Sequence, residues 1–526
     1  MTMDLSILRR WLGVFGLALA LGFAPIPAGL VWADEAKAQA DQTAAAERPL
    51  PEDAVTKHTL TVDGAPLVYT ATVGYLPLAD ANGTVKAQVG YVSYARDGET
   101  RDRPITFVFN GGPGASSAYL NLGALGPRRV RINDDGTVPP PPVLLVDNPM
   151  TWLVFTDLVF VDPVGTGFSR PTRVDGKPVP NSEFWSVNPD IDWNARFIRQ
   201  YLTHADRWTS PKFLVGESYG GFRVARLAEA LAERFGVGLN GAILVSPVLE
   251  FGLALGEDRF SLWPTVLRLP SYAATAWHHG RVEAASGEPN ARDRFLDEVE
   301  RFSLAEYLPR LATLPDSPPE QRQALYARLA AYTGLSVATI ERADGRIGLE
   351  TFVKEALAEG GRVIGRYDSS VSIPDPDPGA PRFEDSDPTL TSLTAPFTTA
   401  MYAYLQGELG YATERPYILL NRAVSRDWNW GGRRNGAPGA ADNLRAAMVA
   451  NRHLDVLIVH GRFDLITPYF GTAYVTRQMR LDPSLRDNLS LALYDGGHMM
   501  YLHKAGRERL FQDVRQFFAA STRGAS

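Results

Sequence analysis

Gly216-Glu217-Ser218-Tyr219-Gly220 constrains this chain more than any other stretch. It follows the run Phe213-Leu214-Val215 and precedes Phe222 to Leu231, where apolar residues recur at helical spacing. The run predicts a buried strand and the tail an amphipathic helix. Gly-x-Ser-x-Gly between a strand and a helix forms a turn so sharp that the serine is strained and exposed, and its small flanking residues let strand and helix approach closely. In that context Ser218 reads as a nucleophile rather than as filler in a glycine-rich turn.

A serine nucleophile needs a base and an acid that orients the base. In α/β-hydrolases these follow in the chain order Ser, Asp or Glu, His. Downstream, Leu454 to His460 predicts a buried strand, and Asp464 lies just past its end on a loop stopped by Pro468. Leu489 to Tyr494 predicts the next strand, which runs into Asp495-Gly496-Gly497-His498. Asp464 and His498 therefore stand where acid and base belong. The competitors read differently. His460 ends an apolar strand and reads as a satisfied structural histidine. His503 falls on what looks like the following helix. Asp455 reads as a surface residue beginning a strand, and Asp495 precedes the histidine loop. His278-His279 is an adjacent pair, not spaced for one helix face, and reads as surface.

A third site supplies the electrophilic part. The apolar strand Ile105 to Phe109 is followed by Asn110 to Ser117, NGGPGASS. Its glycines free backbone amides to face a developing oxyanion. A phosphate-cradling loop would end in Gly-Lys-Ser/Thr, which is missing.

Together these segments resemble the serine carboxypeptidases (peptidase family S10), which remove single residues from peptide C-termini. The matching segments are Asn110 to Ser117, Val161 to Ser169 (VDPVGTGFS), Gly216 to Gly221, Gly461 to Pro468, and Gly497-His498-Met499. The resemblance spans roughly residues 60–250 and 445–515 and looks closest to a bacterial, cysteine-free branch. It implies that Asn110, the Gly111 amide and Glu217 bind the substrate's terminal carboxylate. It also implies that the Gly112 and Tyr219 amides form the oxyanion hole. One carboxyl can hydrogen-bond another only if one of the two is protonated. Three departures stand out. Val108 occupies the family's usual Trp position, Ala115 its usual cysteine position, and Ala124 the place of an acidic residue that normally pairs with the glutamate beside the nucleophile.

The 526 residues suffice for a large core plus an insertion. Charged residues make up 21% and the formal net charge is −6, so there is no basic field to hold nucleic acid. There is no His-Glu-x-x-His, and the chain has 0 cysteines, which removes thiolate metal sites and disulfides. No cofactor is expected. Arg9-Arg10, the mostly apolar stretch Trp11 to Ala24 and the small-residue site Ala38-Gln39-Ala40 predict a signal peptide over 1–40. Val31-Trp32-Ala33 is an alternative cleavage point, and a retained anchor is the competing reading. Export without cysteines points to a bacterial periplasm or exterior, with no stable membrane association after cleavage.

Residues 41–57 read as a polar linker. Residues 58–251 form the first part of an α/β-hydrolase core, with antiparallel opening strands between 58 and 94 and buried strands at 105–109, 157–161, 212–216 and 242–246. Residues 252–445 form a mainly helical insertion, or lid, with helical segments at 290–312, 318–333, 337–344 and 350–359. Its 368–388 stretch reads as loop, and its Trp428-Asn429-Trp430 cluster as a packing corner or pocket lining. Residues 446–526 complete the core. The resulting expectation is an exported serine carboxypeptidase acting on peptides, with an esterase or acyltransferase on the same scaffold as the alternative.

Overall fold

Nine strands form the main path of the ten-stranded central sheet of the computed structural model. In chain order they are β1 Ala54–Val62, β2 Ala65–Ala79, β3 Val85–Arg96, β4 Ile105–Phe109, β5 Asp157–Val161, β6 Lys212–Glu217, β7 Gly241–Val245, β8 Asp455–Gly461 and β9 Leu489–Tyr494. Across the sheet the order is β1-β2-β3-β5-β4-β6-β7-β8-β9, and the two-residue strand Arg170–Pro171 pairs with β3 off this path. The structure describes residues 49–98, 102–254, 260–282, 288, 290–383, 386–431 and 436–522. The predicted signal peptide lies outside them. Among the described residues no helix is long and apolar enough to cross a membrane.

The burial pattern explains the pairing. β1 alternates between exposed and covered positions and pairs antiparallel with β2, as expected for a strand with one wet face. Strands β4, β5 and β7 are buried at every position. Helices cover both of their faces; β5 pairs in parallel with β4, and β6 joins β4 to β7 in parallel. Crossovers between parallel strands return each chain segment to the same edge. The carboxyl ends of β4, β6, β8 and β9 therefore lie along one rim, where ligands bind in such sheets. This mostly parallel sheet with flanking helices is an α/β-hydrolase fold.

Some boundaries differ from the sequence expectation. The expected linker 41–57 gives way to strand at Ala54, because Ala54 to Lys57 pair with Thr70 to Val73 of β2. Within the expected loop 368–388, Ser372–Pro374 pairs with Arg362–Ile364. Two insertion helices, Trp263–His278 and Pro388–Ala403, fall outside the predicted helical segments. Each carries a proline in its first turn and another inside, Pro270 and Pro396, and proline weakens a helical pattern read from sequence. The second is marked at its start by Asp387, whose carboxylate accepts the amides of Thr389 and Leu390.

The insertion helices have their own apolar core, which also takes in Phe463 and Leu465 from the loop after β8. The returning helix Pro388–Ala403 packs Leu393 and Phe397 into the core beneath the glycine loop. Tyr119 and Phe397 meet with ring centroids 5.2 Å apart.

Candidate active site

The elbow follows from crowding. Ser218 sits at φ 61° and ψ −124°, a region that non-glycine residues rarely occupy. A Cβ at Gly216 would run into the Gly220 carbonyl, and one at Gly111 would lie 2.5 Å from the Glu217 carbonyl oxygen and 2.8 Å from the Ser218 Cβ. Only glycine lets the loop after β4 touch the elbow after β6. Ser218 is the one residue between Phe213 and Phe222 that is not buried. The Ser218 amide donates to Val245 O at 2.9 Å, which ties the elbow to β7. The Tyr219 and Gly112 amides make no hydrogen bond to another described residue, so both are free to donate to a ligand.

Asp464 and His498 come together. His498 Nδ1 and Asp464 Oδ2 are 2.6 Å apart, with both side chains buried. Asp464 Oδ1 accepts the amides of Ile466 and Thr467, each at 2.9 Å, and Oδ2 also accepts the Thr467 hydroxyl at 2.6 Å. These donors fix the carboxylate beside the imidazole. Burial pushes the His498 imidazole down, but Asp464, with help from Glu217 and Asp387, outweighs it and leaves the pKa above the ordinary histidine value. The His498 loop is held at its backbone. Its amide donates to Tyr367 O at 2.6 Å, and its carbonyl accepts the Ser246 hydroxyl at 2.8 Å. Ser218 Oγ forms no hydrogen bond with His498, whose Nδ1 faces Asp464.

The two predicted carboxylate-binding side chains also meet. Asn110 Nδ2 donates to Glu217 Oε1 at 3.0 Å, while Asn110 Oδ1 accepts the Leu120 amide at 3.0 Å. The second partner fixes the amide orientation and leaves one Nδ2 hydrogen for a ligand. Glu217 is buried, and burial raises its pKa, partly opposed by His498, Tyr501 and Asn110. Sequence reasoning missed Tyr501, whose hydroxyl donates to Glu217 Oε2 at 2.5 Å. Beneath the elbow lies a second unforeseen group. Buried Arg223 donates to Asp190 Oδ2 at 2.8 Å and to the Asn110 carbonyl at 2.9 Å.

The competing residues stand elsewhere. His503 precedes rather than joins the last helix, Lys504–Ser521, and its Nε2 lies 2.7 Å from Asp368 Oδ2. His460 meets Thr472 through Nε2 at 2.9 Å, but its buried Nδ1 has no partner among the described residues, so it is only half satisfied. Burial lowers its pKa to about 4, which keeps the ring neutral at physiological pH. Asp455 opens β8 at its partly exposed end, and Asp495 pairs with Arg292 on the surface. His278 is exposed, whereas His279 is half-buried against Ser369 O at 2.7 Å. Trp428 is buried and packs edge-on against Tyr219 with centroids 5.4 Å apart. Among the described residues no group of three or more His, Asp or Glu side chains is placed to hold a metal ion.

Comparison with known proteins adds a lineage. Residues 64–250 match the serine carboxypeptidase family model. Serine carboxypeptidase-like 45 of Arabidopsis thaliana is 29% identical over 227 residues, covering 39% of this chain and 46% of that protein. Pheromone-processing carboxypeptidase kex1 of Schizosaccharomyces japonicus is 27% identical over 197 residues, covering 37% and 34%. Serine carboxypeptidase ctsa-3.1 of Caenorhabditis elegans is 29% identical over 217 residues, covering 40% and 33%. The chain thus spans less than half the length of each of these relatives. Among solved structures, the proline iminopeptidase of Mycobacterium smegmatis superposes with a TM-score of 0.36 at 15% identity, covering 86% of this chain and 100% of that one. Asp464 and His498 fall outside the matched residues, whereas Asn110, Glu217 and Ser218 fall within them. Residues 64–250 are therefore similar in sequence to the serine carboxypeptidases.

Proposed function

We propose that this protein is an exported serine carboxypeptidase that releases the last amino acid of a peptide. The observation that carries this reading is the buried Asn110–Glu217 pair, 3.0 Å apart, directly beside Ser218. A plain esterase needs no such pair next to its nucleophile. A protonated Glu217 can donate to a carboxylate, and the free Asn110 hydrogen can join it. The substrate's C-terminus is then anchored so that its last peptide carbonyl lies over Ser218.

Ser218 Oγ attacks that carbonyl while His498 takes its proton. Asp464 holds the imidazole in the tautomer that leaves Nε2 free to accept. The Gly112 and Tyr219 amides donate to the oxyanion of the tetrahedral intermediate. As the C–N bond breaks, His498 returns the proton to the departing amine and the acyl group stays on Ser218. Water, deprotonated by His498, then attacks the ester and restores the serine. No cofactor enters the scheme.

Export is part of the proposal and rests on the sequence of residues 1–40. Mature protein should begin near Asp41 or Asp34. N-terminal sequencing that finds intact residues 1–30 on membrane-bound enzyme would replace cleavage by anchoring.

The activity test compares kcat/KM for matched blocked dipeptides that end in a free carboxylate or an amide. Asn110→Ala should raise KM for the free acids far more than for the amides. One charge-assisted hydrogen bond is worth about 1.5–3 kcal/mol, or roughly 10- to 150-fold. Equal effects on both substrates would mean that the site does not read a C-terminus, and an esterase or acyltransferase would be the better description.

A further inference from the structure

Glu217 has two side-chain partners, and they come from distant parts of the chain. Asn110 approaches from the loop after β4, Tyr501 from the turn after His498. Position 124, in the turn behind the glycine loop, is a buried alanine and offers no functional group. Next to it, a Cβ on Gly123 would lie 2.7 Å from Tyr501 Cε2. The space against this turn is therefore filled by the Tyr501 ring, which is fully buried. The backbone behind the ring is clamped as well, with buried Arg507 donating to the Tyr501 carbonyl at 3.1 Å and the Leu502 carbonyl at 3.3 Å. Such a ring has one orientation available, and in it the hydroxyl ends on Glu217.

We propose that Tyr501 is a positioning residue of the carboxylate-reading subsite, its hydroxyl holding Glu217 against Asn110 in the role that position 124 leaves vacant. This rests on the proposed function above. A carboxylic acid in that role would share a proton with Glu217, and the two would titrate as a pair. A phenol does not. Burial, and then Glu217 itself, drive the Tyr501 pKa well above its ordinary value, so Tyr501 donates at every working pH. Tyr501 thus adds no second titrating group to the subsite, and the proton that gates recognition is the one on Glu217, coupled to the charge of His498. The other groups facing Glu217 are His498 and Asp464 on the late loops, Tyr119 behind the glycine loop and Tyr367 of the insertion. The two tyrosines stay neutral, and His498 is the group whose charge is coupled to that of Glu217. The same short turn thus carries the base to Ser218 and the hydroxyl to the neighbouring Glu217.

The experiment follows KM for free-acid and amide dipeptides between about pH 4 and 9, a span that brackets the carboxyl and imidazole ranges. In the native enzyme, KM for the acid should climb about tenfold per pH unit beyond a midpoint, as one lost proton requires. Tyr501→Phe removes a donor to the Glu217 carboxylate, so this midpoint should move up by about one pH unit, and KM for the acid below it should rise about tenfold. In a Glu217→Gln background the same substitution should move no midpoint. If the phenylalanine variant does not fold, 3-fluorotyrosine at position 501 gives the opposite test, because a stronger donor should move the midpoint down. A native enzyme that distinguishes acid from amide, with a midpoint that neither change moves, overturns the role of Tyr501 and leaves the carboxypeptidase reading intact. A loss equal for both substrates at every pH makes Tyr501 a packing residue and overturns it too. A native enzyme that treats acid and amide alike removes the carboxypeptidase reading itself.

Discussion

At the ends of β4 and β6 the backbone alone sets the geometry, whereas at the ends of β8 and β9 contacts from remote segments are added to it. The first side depends on missing atoms. Gly111 and Gly216 stand where any Cβ would collide with the neighbouring main chain, so the glycines and the strained Ser218 form one steric unit. The second side has glycines of the same kind, since a Cβ at Gly461 would run into the Gly497 carbonyl oxygen and one at Gly497 into the Tyr367 carbonyl oxygen, but it adds side-chain contacts to them. Asp464 is fixed by donors from its own loop, but the His498 loop is held by Tyr367, Ser246 and the His503–Asp368 pair. A steric unit tolerates almost no substitution and leaves a short motif. A side-chain scaffold can be rebuilt with other residues, so beyond Gly461 to Pro468 and Gly497-His498-Met499 this side leaves little to read. The family match follows the same division, covering residues 64–250 and stopping before β8.

The sharpest way to break the comparison is to remove the reacting groups themselves. Ser218→Ala and His498→Ala should each lower kcat/KM by about 10⁴-fold or more. The double variant should lose little beyond either one, because the two act as a unit. A fluorophosphonate probe should label the native enzyme and not Ser218→Ala. Near-normal turnover of His498→Ala, with loss in His503→Ala, would transfer the base to the other histidine.

The next effect tests the steric side. Gly111→Ala adds one methyl group at 2.5 Å from the Glu217 carbonyl and 2.8 Å from the Ser218 Cβ. The two loops must part by about an ångström, a displacement that costs on the order of 10²-fold in rate. Rate measurements with both acid and amide substrates check it. A variant with native rates would show that the elbow yields, and the comparison would lose its first half.

The legible parts of the molecule share a physical reason. Buried parallel strands are short apolar runs, so β4 to β6 are readable from Ile105 to Phe109, Asp157 to Val161 and Phe213 to Val215. The glycine loop and elbow are readable because sterics write them into consecutive residues. The helices Trp263–His278 and Pro388–Ala403 were hidden by their prolines. Tyr501 was hidden for another reason. Its partner Glu217 is 284 residues away, and nothing in the sequence around Met500-Tyr501-Leu502 points there. The one available hint was an absence, the alanine at 124, and an absence does not say which residue compensates for it.

A smaller effect concerns pH. His498 must be neutral to act as a base, and its pKa is raised. The acid limb of kcat/KM should therefore lie above the ordinary histidine value of about 6.5. For free-acid peptides a basic limb from Glu217 should close the profile into a bell. For amides that limb should be missing. His498 and Glu217 favour each other's charged form, so the two midpoints belong to the pair. Matching profiles for acid and amide would break the assignment of Glu217, and an acid limb below pH about 6 would break that of His498.

The smallest effect tests whether the insertion braces the late loops. Asp368, in the segment from Gly365 to Ser370, pairs with His503 at 2.7 Å, while the neighbouring Tyr367 carbonyl accepts the His498 amide. Burial opposes both charges. Even so, Asp368 holds the His503 pKa above its ordinary value, and His503, with Ser370, holds Asp368 below its own. The signs set the window. A raised histidine contributes stability that is fully present below about pH 6.5 and fades as pH climbs through the folded value, while a lowered aspartate contributes above about pH 4 and fades as pH falls through its own. The brace is therefore strongest in mildly acid solution. His503→Gln keeps a hydrogen bond but removes the ion pair, so it should destabilise by about 2 kcal/mol near pH 6. In a chain of this length that is a fall in Tm of about 2 °C. The difference should shrink toward pH 9 or so, where the native histidine is also neutral. Thermal melts of both proteins at the two pH values measure it. An equal difference at both would mean that packing, not charge, joins the insertion to the histidine loop, and the second half of the site would then resemble the first.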